Sequence, residues 1–600
     1  MLKLAEIFKG CRKYVSNSAW ISWLFYLIGL TFLCWLAFLW HLGDTGLVDE
    51  TEPLFAEASR QMGETGNWIT PYFNGETRFD KPPLVYWLMA IGYQFLGVNE
   101  WAVRLPSALS AIALTFFCFF TLRHFGISSR QRPFWIASGI GAALIALNLQ
   151  TIIWARTGVS DMLLSGCMGS ALLCFFWGYA SQETEKYEGR ENNLPNLWYV
   201  AFYIFLALAV LAKGPVGIVL PNLIIVPFLI YVGRFWQVIE EMKVLRGGII
   251  FALLTLPWYI LVIWQNGSDY IESFFGYHNF ERFTDVVNGH SAPWYFYFIV
   301  VLVGFLPWSV YLPWAINRLQ WWRISYWRNQ TRSQHLGLFA LFWFLGIFVF
   351  FTVAVTKLPS YTLPLLPAAG IMVALLWGEL LTTKPSKGRK VTEYSLLISG
   401  IFNFLLLVIL GIFFIYSPNF IGNDRAAPNL NQLVVESGLP WLGGIIWLTT
   451  AVIIALFLSA RKYRRGILVV NLLGFIAFLI FVFTPASFLV DSARQLPLRQ
   501  LADTITQVKQ PGEEVFMIGF QKPSLVFYTQ NPVQFFNWKG KAVNYTQESL
   551  QKPFPSSSVL ILLRPKYIRE LQLQPDEYKI LDNQGAYMLI RVKRKVLVTK

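Results

Sequence analysis

Thirteen apolar stretches constrain this chain more than anything else in it. They run over 20–42, 101–122, 133–150, 158–180, 197–212, 214–232 and 247–265, then over 294–315, 336–356, 361–381, 394–416, 440–459 and 466–489. Most approach the ~20 residues that carry a helix across ~30 Å of hydrocarbon. Composition agrees: 55% of residues are hydrophobic, 17% aromatic and only 14% charged, the balance of a polytopic membrane protein rather than a soluble domain. The expected fold class is an α-helical polytopic membrane protein with about thirteen spans over 1–490, followed by a small α/β domain over 491–600.

Short basic runs sort the connections into two sides. Arg123, Arg130 and Arg132 form one run, and Arg318, Arg323, Arg328 and Arg332 a second. Lys384, Lys387, Arg389 and Lys390 form a third, and Arg461, Lys462, Arg464 and Arg465 a fourth; Lys3, Lys9, Arg12 and Lys13 of the N-terminal tail join them. By the positive-inside rule this face is cytoplasmic. An odd number of spans then sends both the C-terminal tail and the long first loop, 43–100, to the other side. The net charge of +15 is thereby topology and headgroup contact, not a groove for nucleic acid. Membrane lipids are expected partners; nucleic acid is not.

The five cysteines, Cys11, Cys34, Cys118, Cys167 and Cys174, lie in the N-terminal tail or within spans. The sequence therefore predicts no disulfide framework and no thiolate metal site. The first apolar stretch is long and lacks a small-residue cleavage pattern, so it reads as a retained anchor.

In the first loop, Pro53 suits the opening turn of a helix. Leu54, Phe55, Ala58 and Met62 give that helix one apolar face, and Gly63 and Gly66 supply a stop. A helix lying along the membrane surface is expected there, with Asp49 and Glu50 just before it. A turn follows at Asn74-Gly75, and 84–97 reads as a second interfacial helix, too short for a span. In the tail, Ser492–Lys509 has helical spacing. Val515–Phe520, Leu525–Tyr528, Val533–Phe536, Val559–Leu563 and Ala586–Val592 read as strands.

Six polar groups stand at or near the outer ends of predicted spans: Asp49 with Glu50 and Glu52; Asp80-Lys81; Arg156 with Asp161; Lys213 in Lys-Gly-Pro; His278 with Arg282; and Lys357 with Tyr361. Charges at such depth cost several kcal/mol unless paired or solvated. Each alone has an ordinary reading as a headgroup contact, a helix cap or a tight turn. Together on one side, they suit an anionic group held beside a proton acceptor, and phosphate is the economical candidate.

These residues also carry a resemblance. Asp49-Glu50, Phe79-Asp80-Lys81-Pro82-Pro83 and Glu100-x-x-x-Arg104-Leu-Pro-Ser, then Ala155-Arg-Thr-x-x-x-Asp161, Lys213-Gly-Pro and Lys357-Leu-Pro-x-Tyr361-x-Leu-Pro-x-x-Pro367, occur in that order. The pattern, over about 45–370, resembles the superfamily of aminoarabinose transferases and protein mannosyltransferases. The resemblance implies a C-type membrane glycosyltransferase fold and a polyprenyl-phosphate-linked sugar donor, in a bacterial inner (plasma) membrane. It implies roles as well: Asp49 as general base or acceptor-positioning acid, with Asp161 as the second acid of the site. Lys81 and Lys357 would hold the lipid phosphate, with Arg282, Lys213 and Tyr361 beside them. Glu50, Glu52 and Arg156 would support the acceptor side. The chain departs from the pattern at Asp80, where the family often has Glu before Lys-Pro-Pro; a divalent ion held by Asp80 and His278 is the only cofactor the pattern suggests.

The expected activity is inverting transfer of a sugar from polyprenyl phosphate to a lipid or envelope-glycan acceptor. A carboxylate orients or deprotonates the acceptor, and cations stabilise the departing phosphate. Transfer to protein hydroxyls is an alternative within the class. A transporter or flippase of lipid-linked sugar is the alternative outside it, but transport sites lie near the bilayer midplane, and here the mid-span regions are nearly free of charge.

Overall fold

The computed structural model describes residues 19–600 except 127–133, 188–195, 282, 283, 287, 288, 290, 383–389, 461, 538–540, 543, 547–555, 599 and 600. Each of the thirteen apolar stretches carries helix among the described residues, in a multi-pass membrane protein. Among the described residues, eight helices are long and apolar enough to cross a membrane alone, and the number rises to ten if each of two bent pairs is one span. The first stretch is helical over Ala19–Cys34 and Trp35–Leu39, whereas the fifth and sixth are the shorter helices Leu197–Lys213 and Val216–Tyr231. At 1.5 Å per residue, helices of this length fall short of a ~30 Å core. The four described cysteines are free thiols.

One bent pair, Ala137–Ala146 and Leu149–Ala155, turns by 60° at Asn148. The Asn148 amide donates to the Leu144 and Ile145 carbonyls, while its oxygen accepts from the Thr151 N–H at 2.9 Å. One side chain thus ends the first helix and caps the second.

Helix α1 (Glu52–Thr65) starts with Pro53 in its first turn and ends at Gly66, whose φ of 70° is left-handed. Gly63 lies inside the helix. Its residues from Glu52 to Met62 are mostly buried in protein, with Glu57 and Arg60 as a two-pronged pair at 2.7 and 2.8 Å, and its last turn is exposed. Strand β1 (Tyr72–Phe73) meets β2 (Glu76–Thr77) around Asn74 and Gly75, both at positive φ, as an Asn-Gly hairpin demands. Helix α2 (Leu84–Leu96) follows and packs on α1.

The spans that matter for the site are α3 (Glu100–Phe125), α4 (Ser160–Tyr187), α5 (Leu197–Lys213), α6 (Val216–Tyr231) and α7 (Leu336–Val353). The last span continues as Thr484–Arg494, so the expected boundary at 490 falls within a helix. Helix α8 (Leu496–Val508) opens the C-terminal domain.

That domain holds a five-stranded sheet in the order β4-β3-β5-β7-β6: β3 (Glu514–Ile518), β4 (Val533–Phe536), β5 (Ser558–Leu563), β6 (Tyr578–Gln584) and β7 (Tyr587–Lys593). Strands β4, β3 and β5 are parallel; β7 and β6 run antiparallel. Val515 and Met517 face Leu498 and Leu501 of α8, whereas Phe516 and Ile518 join a second core on the opposite face. Strand β6 was not expected, because an edge strand bearing Lys579, Asp582 and Asn583 carries no apolar alternation.

The segment read as a strand over Leu525–Tyr528 is instead helix α9 (Ser524–Thr529). Its apolar run is too short for periodicity to separate helix from strand. Pro523 starts the helix, and Gln530, at a φ of 51°, ends it. The turn sends Leu525 and Val526 into the domain core and Phe527 into the core under α1.

Candidate active site

The first loop is anchored by an ion pair set deep in protein. Arg104 of α3 donates to Glu52 Oε1 at 2.9 Å and Oε2 at 3.0 Å. Its remaining N–H groups reach the carbonyls of Leu42, Thr45 and Gly46. Glu52 also accepts from the N–H groups of Gly158 at 2.7 Å and Val48 at 2.8 Å. This pair ties the loop, the start of α1 and the turn before α4 into one piece.

Beside it lies a more open cluster. Asp80 accepts from Lys81 at 2.6 Å and Arg78 at 3.0 Å, and His278 Nδ1 stands 3.2 Å from the same carboxylate. Burial opposes ionisation of Asp80. The charges of Lys81, Arg78 and His278 override that penalty and hold its carboxyl well below the usual carboxylate range. Across the cluster, Lys213 at the end of α5 donates to Asp161 in the first turn of α4 at 2.6 Å, and its ammonium rests 5.5 Å from the centre of the Tyr361 ring. Gly214 makes this possible. Its φ is 85°, and a Cβ there would stand 2.6 Å from Phe274 Cζ, so the chain turns sharply at Lys213 and leaves that side chain facing inward.

Two cavities meet at these residues. One, of about 420 Å³, is walled mainly by apolar groups, among them Val216, Val219, Phe274, Phe275, Phe350 and Phe351. The other, of about 760 Å³, is walled by Asp49, Thr51, Glu52, Arg78, Trp154 and Thr157. Asp80, Lys81, Asp161, Lys213, His278, Ser360 and Tyr361 line both. Val219 also borders a groove on α6 formed with Ile218, Leu223 and Val226, so apolar surface continues from the first cavity along that helix.

Asp49 belongs to the second cavity alone. Burial raises its carboxyl above the ordinary range, and the Glu50 charge adds to this, while Ser524 and Lys522 pull it down; the net shift is upward. A general base gains from that direction, which moves it toward working pH.

Four expected site residues stand apart. Lys357 lines neither cavity: its ammonium donates to the carbonyls of Thr352 and Ala354, each at 2.8 Å, and lies over the Tyr297 ring. It serves the C-terminal end of α7, whose last carbonyls have no partner within the helix. Arg156 donates to the His41 carbonyl at 3.1 Å and closes the turn after the bent span. Glu50 points outward, 67% exposed and 3.6 Å from Lys522. Glu52 borders the second cavity, but its oxygens are held by Arg104 and two main-chain N–H groups. Arg282 lies outside the described residues.

The donor set does not fit the divalent ion. Both oxygens of Asp80 face cations, and no group of three or more His, Cys, Asp and Glu suited to a metal occurs among the described residues. Arg78 and Ser360, absent from the expected site, are part of it. The signal for Arg78 was its position two residues before Asp80. Ser360 carried only the hint of its place before Tyr361.

Two family models match the chain: the dolichyl-phosphate-mannose-protein mannosyltransferase model over residues 21–267, and the cyanobacterial RgtA-type glycosyltransferase C-terminal domain model over 508–600. An undecaprenyl phosphate-alpha-4-amino-4-deoxy-L-arabinose arabinosyl transferase of Shewanella sediminis is 31% identical over 344 residues, 56% of this chain and 57% of that protein. One of the same description from Proteus mirabilis is 28% identical over 351 residues, 58% of each. These matches span little more than half the relatives' length. The crystal structure of ArnT from Cupriavidus metallidurans bound to undecaprenyl phosphate superposes with a TM-score of 0.70 at 20% identity, over 96% of this chain and 98% of that one. That likeness is one of fold.

Proposed function

We propose that the chain is an ArnT-like C-type membrane glycosyltransferase that moves a sugar from a polyprenyl-phosphate donor to a lipid or envelope-glycan acceptor. One observation carries the reading: an apolar cavity and a polar cavity meet at a wall of paired cations and acids, with Asp49 in the polar one only. The apolar cavity, continued by the groove along α6, suits an isoprenoid chain. Its phosphate then reaches Lys81 and Lys213, and the acceptor enters beside Asp49.

In the reaction the acceptor oxygen attacks the anomeric carbon as the bond from that carbon to the phosphate oxygen breaks. The acceptor proton passes to Asp49. The departing phosphate takes the bonding electron pair, and Lys81 and Lys213 stabilise its added charge. Asp161 holds the Lys213 ammonium in place. A single displacement inverts the anomeric carbon. The site lies at the extracytoplasmic end of the bundle, where the first loop and the C-terminal domain touch; the described basic residues Arg318, Arg328 and Arg332 belong to the opposite, cytoplasmic end.

The test is Asp49→Asn in liposomes under single-turnover conditions, with undecaprenyl phosphate-linked 4-amino-4-deoxy-L-arabinose as donor and a lipid extract of the source membrane as acceptor. The variant is expected to retain undecaprenyl phosphate and lose at least ~10²-fold in transfer rate. Wild-type turnover by this variant refutes the base assignment, and movement of intact donor across the bilayer without transfer refutes the enzyme. A cysteine at exposed Thr65 should react with a membrane-impermeant thiol reagent in spheroplasts; protection until lysis reverses the orientation.

A further inference from the structure

Both carboxylate oxygens of Asp49 are met by one residue 475 positions later in the chain. The Ser524 N–H donates to Oδ1 at 3.0 Å and its Oγ–H donates to Oδ2 at 2.6 Å. Ser524 is fully buried, so neither bond is shared with bulk water. The rest of the contact is built around this one. The Tyr528 hydroxyl accepts from the Leu47 N–H at 2.8 Å and donates to Glu100 at 2.9 Å. The Gly46 N–H donates to Asp491 at 2.6 Å, and the Asn74 side chain pairs both main-chain groups of Val533 at 2.7 and 2.9 Å. The segment 46–49 is therefore held at three points by residues beyond 490, and of those three points only Asp49 borders a described cavity.

We infer that the catalytic site is assembled from both halves of the chain, with Ser524 as the positioning residue for Asp49 and the C-terminal domain as a component of the site rather than a cover over it. This rests on the reading of Asp49 as the proton acceptor. Each carboxylate oxygen offers two lone pairs. Ser524 engages one on each, which fixes the carboxylate plane and leaves the others for an acceptor hydroxyl. A carboxylate held by two donors cannot rotate its oxygens away from the cavity, so its geometry is set before substrate arrives.

The same bonds act on titration. Glu50 and Lys522 face Asp49, Tyr587 lies within electrostatic range, and Glu52, Arg78 and Asp80 share its cavity. Among these, Ser524 supplies the hydrogen bonds that favour the ionised form. Removing the Oγ–H raises the Asp49 pKa. Because the base acts when ionised, the acid limb of the rate profile then moves to higher pH.

The experiment compares full-length Ser524→Ala, Ser524→Cys and Ser524→Thr with wild type and Asp49→Asn, using the donor and lipid extract named above. Undecaprenyl phosphate binding serves as the check on folding. Ser524→Ala is expected to bind undecaprenyl phosphate normally, keep its donor KM within about two-fold, lose roughly 10-fold in kcat and shift its acid limb upward. The weak thiol donor of Ser524→Cys should fall between, and Ser524→Thr, which keeps the hydroxyl, should recover most of the rate. Should Ser524→Ala not assemble, the order of Thr over Cys carries the test. Equal kcat and an unmoved acid limb in all three, beside an inactive Asp49→Asn, overturn the role of Ser524 alone. Wild-type turnover by Asp49→Asn overturns the base assignment and this inference with it.

Discussion

The first loop supplies two acids that look alike in the sequence and do opposite things. Glu52 and Asp80 each pair with basic groups and each border the polar cavity. The partners of Glu52 are saturated by protein: Arg104 divides its donors between the carboxylate and the three carbonyls of the loop behind it. Asp80 instead gathers Lys81, Arg78 and His278 around one carboxylate at the junction of two cavities. A charge enclosed by its own partners holds structure, whereas the charges around Asp80 line two cavities. Burial alone does not separate these cases, since Arg104 and Lys81 are 2% and 8% exposed. What separates them is where the donors point.

The largest effect should come from breaking the closed pair. Arg104→Ala strands Glu52 and three loop carbonyls away from water, and loss of one member of a buried pair costs about 3–5 kcal/mol. The variant should lose most of its folded protein in a detergent thermal-stability assay. Folded protein at wild-type melting temperature, but with donor binding lost, would place Arg104 in the site and dissolve the contrast.

Next comes the open cluster. Lys81→Ala should fold, yet weaken undecaprenyl phosphate binding by one to two decades, the equivalent of a charge-assisted hydrogen bond worth roughly 1.5–3 kcal/mol. An unchanged dissociation constant, measured by titration of the purified protein, would make Lys81 merely the counterion of Asp80. The smallest effect belongs to Glu50→Gln. Glu50 is 67% exposed and stands 3.6 Å from Lys522, and an ion pair open to water on one side contributes about 0–1 kcal/mol. Turnover should stay within a few-fold of wild type, and a loss as large as that of Asp49→Asn would exchange the roles of these two neighbours.

Legibility followed the range of the interaction. The turn at Asn74-Gly75, the Pro53 start of α1 and the Gly66 stop came from residues adjacent in the chain, and all three are present. Lys213-Gly-Pro forms a sharp turn at Gly214, and Lys213 lines both cavities. Lys357 misled because its motif places it at the outer end of a span, while the direction of its side chain depends on the free carbonyls ending α7. Leu525–Tyr528 misled because a run of four residues holds no full helical turn of pattern beyond its own length.

Hydropathy and order of motif by themselves determined the helical membrane architecture, the α/β tail and the resemblance to the ArnT-like C-type glycosyltransferases. The motif residues Asp80, Lys81, Asp161, Lys213, His278 and Tyr361 line the same two cavities. Only tertiary structure decided which of those charges face a cavity and which are closed off. It also brought Ser524 to Asp49 across 475 positions. The reason is physical: helix formation and membrane depth depend on local composition, whereas the pairing of one donor with one acceptor depends on how distant segments pack, and no periodicity in the chain encodes that.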